Sequence, residues 1–180
     1  FYKAVLSFSK INLEQQEKLN SLYMDSLLNA AFSYYENKLY TEAIPLFEDL
    51  IQRGNKLLED DYYKSLISLF DSYNQNKDYD KFLLLYNTLK KNQNLSISVL
   101  NKIKFLLADN YILQEEYLKA YDVYLEIMMC KEPAFVSLAF QNAYNLSILY
   151  RKEIKKDPGE ILQKIESSLS DNKELLLQHY

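Results

Sequence analysis

The 180-residue chain holds only two glycines and three prolines among 48% hydrophobic residues, which excludes collagen, a flexible low-complexity chain, a turn-rich β-sandwich and a disordered tail. Its 25 acidic residues outnumber 21 basic ones, of which only Arg53 and Arg151 are arginines, so the clustered positive charge that nucleic acid requires is missing. The lone Cys130 admits no intrachain disulfide, and no stretch approaches the roughly 20 apolar residues of a membrane-spanning helix, so this segment is not expected to insert into a membrane.

What is left is an all-α chain, long enough to bury roughly 70% of its unfolded surface without a staple. Its predicted elements recur. Phe1, Ala4, Phe8 and Ile11 are spaced like the second helix of a pair, so residues 1–11 read as helix B of a truncated upstream repeat. Leu27, Ala30, Ala31 and Tyr34 then mark a helix A, and Tyr40, Ala43, Phe47 and Leu50 a helix B, giving repeat 1 over 13–52. Leu66, Leu69, Phe70 and Tyr73 with Tyr79, Phe82, Tyr86 and Leu89 give repeat 2 over 57–91. Lys104, Leu107, Ala108 and Tyr111 with Tyr117, Ala120, Tyr124 and Ile127 give repeat 3 over 96–129.

A divergent repeat 4 spans 133–169. Ala143, Leu146, Ser147 and Tyr150 form its helix A, and Asp157-Pro158-Gly159-Glu160 opens its helix B with a cap, a proline at the first helical position and a capping-box acid. Asp171 and Glu174 start a short capping helix over 171–180, whose leucines cover the last apolar flank. Short polar turns, Glu36–Lys38, Asn74–Asp78 and Gln114–Glu116, force each A and B to run antiparallel. The four helix-A tyrosines lie 39, 38 and 39 residues apart.

The run Leu27-x2-Ala30-Ala31-x2-Tyr34-x5-Tyr40-x2-Ala43-x3-Phe47-x2-Leu50 resembles the tetratricopeptide repeat (TPR), with three full and two partial copies between Phe1 and Arg151. Two departures stand out. The period is 38 to 39 residues against about 34 in the family, and in repeat 2 both small positions are aromatic, Phe70 and Phe82. The resemblance implies a TPR-like α-α superhelix, a right-handed solenoid of antiparallel helix pairs forming a single domain over 1–180.

No catalytic residue is expected. The only histidine, His179, is next to the last residue, and Cys130 has no nearby histidine. The chain carries no Gly-rich phosphate loop, no GxSxG and no His/Cys spacing for a metal, so neither cofactor nor metal is expected. Glu59-Asp60-Asp61 reads as helix-start charge. Of 17 tyrosines, Tyr34, Tyr40, Tyr73, Tyr79, Tyr86, Tyr111, Tyr117, Tyr124 and Tyr150 take repeat-packing positions, and most of the tyrosines are expected in the core.

In proteins that resemble this one, helices A line a concave face that holds a segment of another protein. Carried over position by position, that face comprises Asp25, Leu28, Phe32 and Tyr35, then Lys64 and Asp71, then Lys102, Phe105, Asp109 and Ile112, and finally Tyr144, Ile148 and Arg151. Asp25, Glu36 and Asp71 at one end and Arg151 and Lys152 at the other set a charge gradient that would orient a bound segment. Leu28 and Phe32 occupy two positions of the carboxylate clamp used by the family's chaperone-tail binders, which argues against that ligand class.

The expected function is therefore a protein-interaction adaptor or scaffold with no chemistry of its own. The alternatives are a self-assembling module, homo-oligomeric through the half-repeat Phe1–Ile11, and a non-catalytic regulatory part of a larger enzyme. No signal peptide is visible after Phe1, and the sequence does not choose a compartment: a soluble domain is expected, cytoplasmic, or bacterial periplasmic or cell-envelope if a signal or anchor precedes Phe1. The excess of lysine over arginine, with many Asn, Ile and Tyr, points to an AT-rich, bacterial genome.

Overall fold

The computed structural model describes residues 13–54, 57–90, 95–130 and 132–150, together with Ile154 and Gln163. Among these residues every regular element is a helix: α1 (Leu13–Glu36), α2 (Tyr40–Gln52), α3 (Glu59–Asn76), α4 (Tyr79–Lys90), α5 (Ile97–Leu113), α6 (Tyr117–Met128) and α7 (Pro133–Leu149). The chain is all-α, as the 3.6-residue stripes predict. None of these helices is long and apolar enough to cross a membrane. The elements expected over 1–11 and 171–180, and the second helix of repeat 4 apart from Gln163, lie outside the described residues. The fold divides at Asn76 and Lys77 into two compact units.

In the N-terminal unit, α2 packs against both α1 and α3. Its core comprises Ala31 of α1, Ala43, Phe47 and Leu50 of α2, and Leu66, Leu69 and Phe70 of α3, all buried. Phe47 receives the rings of Phe32 and Tyr35 edge-on, at 5.3 and 6.1 Å between centroids. In the C-terminal unit α4 touches α5, α5 packs on α6, and α6 on α7. The buried set there includes Phe82, Ile103, Leu107, Ala108, Tyr121, Ile127 and Ala143. Lys104 occupies a stripe position where other repeats have Leu or Ala. Its stem is largely covered, and its ammonium reaches Glu126 on α6 at 3.2 Å.

One backbone feature recurs where the chain passes from α1 to α2, from α3 to α4 and from α5 to α6. Among the described residues, Lys38, Lys77 and Glu115 are the non-glycine residues with positive φ, at 60°, 63° and 61°, and each stands two residues before the tyrosine that opens the next helix. At the first corner the Lys38 N–H donates to the Tyr35 carbonyl and the Leu39 N–H to the Tyr34 carbonyl. At the third the Glu115 N–H donates to Ile112 and the Glu116 N–H to Tyr111. This is the paired bonding of a Schellman turn, with the helix-A tyrosine supplying the outer carbonyl. Elsewhere Ser96 caps α5, its hydroxyl accepting from the Val99 N–H at 3.3 Å, and Pro133 opens α7.

Two expectations need correction. The turn assigned to Asn74–Asp78 is shorter, because α3 continues through Asn76. Asn74 is buried there, and the Asn76 side-chain Oδ1 accepts from the Thr41 hydroxyl of α2 at 3.0 Å, which ties the end of α3 to the start of α2. Tyr34, expected in the core, is 40% exposed, whereas the equivalent Tyr73 is 4% exposed. Tyr73 lies against the preceding helix B, donating its hydroxyl to Glu48 of α2 at 2.8 Å. Among the described residues no helix B precedes Tyr34.

Candidate functional site

The surface that helices α1 and α3 present in the N-terminal unit contains a cleft of about 570 Å³. Three turns of α1 form one wall, because Glu17, Ser21, Asp25 and Leu28 recur at spacings of three and four and share a face. Met24 lies buried at its base. Leu57, Leu58 and Asp61, at the start of α3, form the other wall. Position along the chain explains that wall. Gly54 ends the segment after α2, its carbonyl accepting from the Leu57 N–H at 3.2 Å, and the Tyr62 ring lies so close that a Cβ on residue 54 would stand 2.6 Å from it.

The carried-over concave residues separate into three groups. Asp25 and Leu28 line this cleft. Phe32, Tyr35 and Asp71 are instead engaged within the unit: Phe32 on Phe47, and Tyr35 through a 2.6 Å hydrogen bond from its hydroxyl to the Asp71 carboxylate, which also accepts from Gln75. Burial, and then the bond to Asp71, push the Tyr35 phenol well above its usual range. Lys64 is exposed, one turn beyond Asp61, and does not line the cleft.

In the C-terminal unit Phe105 is enclosed by rings, 6.0 Å from Tyr124 and 6.2 Å from Phe135. Lys102 and Asp109 are exposed, Ile112 is half-buried, and Tyr144 and Ile148 stand out on α7, with the Tyr144 ring 6.0 Å from Phe140. Asp109 adds its negative charge to burial in raising the Tyr124 phenol. Arg151 lies outside the described residues, and with it one end of the expected charge gradient. Cys130 is half-buried, its thiol 3.7 Å from the Glu132 carbonyl.

Glu17, Met24, Leu57, Leu58 and Asp61 escaped the sequence reading. Its stripe begins at Leu27, whereas α1 starts at Leu13, more than three turns before Asp25. Extending the face backwards from Leu28 by threes and fours would have reached Ser21 and Glu17, and a leucine directly before Glu59-Asp60-Asp61 was a visible oddity at a helix start. Comparison of the chain with protein-family models, curated proteins and solved structures finds no match.

Proposed function

We propose that this chain is a binding module of the tetratricopeptide type, a right-handed solenoid of helix pairs that holds a segment of another protein on the face lined by its A helices and carries no chemistry of its own. The recurrence of one left-handed corner residue at Lys38, Lys77 and Glu115, 39 and 38 residues apart, carries the repeat part of the reading. It is independent of the apolar stripe, since φ reports the backbone rather than side-chain type. The binding part is supported by the open cleft at Asp25 and Leu28, two of the residues carried over from the family's concave face. Large apolar groups held in water, such as Ile148 and Leu149, are expensive unless something covers them.

The test is affinity capture of the full-length protein from its native cells, followed by identification of what accompanies it. Asp25→Lys and Tyr144→Ala should each reduce the recovered partner while the helical circular dichroism stays unchanged. Undiminished recovery with both variants combined would overturn the assignment of this face.

A further inference from the structure

We infer that the α1–α3 cleft of the N-terminal unit receives a basic, amphipathic peptide segment, with large apolar side chains on the cleft base and flanking Lys or Arg on its rim. The inference rests on the reading of the chain as a protein-binding module and names the chemistry of what it binds. The rim carries Glu17, Asp25 and Asp61, and among the described residues no lysine or arginine lines the cleft. The positive end of α3 offsets only about half a charge of those three. Between the carboxylates the lining combines the apolar Met24, Leu28, Leu57 and Leu58 with the polar Asn20 and Ser21.

Leu58 is the second, independent observation. Its carbonyl accepts the first intrahelical bond of α3, from the Tyr62 N–H at 2.9 Å, so it occupies the N-cap, a position that favours Ser, Thr, Asp or Asn and disfavours leucine. Its side chain is also 76% exposed. Leu39, another leucine at an N-cap, has a local task in closing the first Schellman turn. Leu58 stands instead on the cleft wall, where an apolar ligand group would cover it. Opposite charge on the ligand would then fix its register along the three turns of α1.

The experiment is selection of a displayed library of random peptides, about twelve residues long to match some three helical turns, against the full chain and against Glu17→Lys/Asp25→Lys. Both substituted residues are exposed. Enrichment of Lys/Arg-flanked Leu, Ile or Phe is expected. The selected peptides should lose about tenfold or more in affinity on the charge-reversed protein, and weaken as salt is raised. Leu58→Ser should weaken binding similarly while raising the melting temperature, an opposition that a purely structural role for Leu58 would not produce. Selected peptides that are acidic or neutral, or indifferent to all three changes, would overturn the cleft assignment and leave the module reading standing. Failure to enrich any peptide, joined with no partner in the cell capture, would overturn both.

Discussion

The two units combine polar ties and ring packing between helices in different proportions among the contacts described. In the N-terminal unit, beside the rings packed on Phe47, hydroxyl groups on one helix meet polar acceptors on another: Tyr23 to Asp49, Tyr35 to Asp71, Tyr73 to Glu48 and Thr41 to Asn76, at 3.0, 2.6, 2.8 and 3.0 Å. In the C-terminal unit ring packing is prominent. Tyr117 stacks on Tyr150 at 3.6 Å, Phe105 sits between Tyr124 and Phe135, and the Lys119 ammonium lies over the Tyr111 ring. A hydrogen bond fixes direction and distance, whereas ring contacts tolerate sliding by an ångström or more. The contacts among α1, α2 and α3 thus add several directed hydroxyl bonds to the rings on Phe47, whereas those among α5, α6 and α7 join ring packing to the Lys104–Glu126 pair at 3.2 Å.

The largest expected effect is common to both. Phe47→Ala should cost about 3–5 kcal/mol in urea denaturation, because Phe47 is wholly buried beneath Phe32 and Tyr35 and little can collapse into the void. Tyr121→Ala, equally buried in the other unit, should match it; a loss below about 1 kcal/mol at either site would show that the cores are looser than their burial implies.

The contrast itself is tested by deleting hydroxyls. Tyr35→Phe keeps the ring and strips the half-buried Asp71 of a donor, so about 1.5–3 kcal/mol should be lost. Tyr124→Phe, in a ring-packed setting, should cost less. Equal losses would erase the distinction between the units. Smaller again, and of opposite sign, are the corners. Lys38→Gly and Glu115→Gly should each gain about 0.5–1 kcal/mol, because glycine adopts positive φ without a Cβ penalty, and the gain should be the same in either unit.

Last comes an effect that is nil near neutrality. Burial raises the Tyr86 phenol to about 12, and Tyr35 and Tyr124 are raised further, each chiefly by burial. The folded state favours the neutral phenol, so this stabilisation is complete below the unfolded value of about 10 and is lost as pH rises through the folded values. Melting temperature should fall from about pH 10 upward, and less steeply in Tyr35→Phe/Tyr124→Phe. A double variant with the wild-type slope would remove these phenols as the cause.

Helix positions were legible in the sequence because a stripe at 3.6 residues reports which face is apolar. It does not report whether a neighbour covers that face, which is why Tyr34 and Tyr73, identical in pattern, differ in exposure. The Tyr35 to Asp71 bond joins residues 36 apart, and only the approach of α1 to α3 creates it. Both were carried over as groove residues, yet each occupies the other. Asp25 and Leu28 were carried over in the same way and do line a cleft, but its opposite wall depends on how the chain turns after α2, which no periodic pattern encodes.

That turn gives Gly54 an importance its surroundings do not advertise. The Tyr62 ring closes over it and its carbonyl steadies Leu57, so the aim of the leucine wall is set by a residue with no side chain. A methyl group there would stand within 3 Å of two Tyr62 ring carbons, so the ring or the backbone would have to give way, and Leu57 and Leu58, held between them along the chain, would be displaced with it.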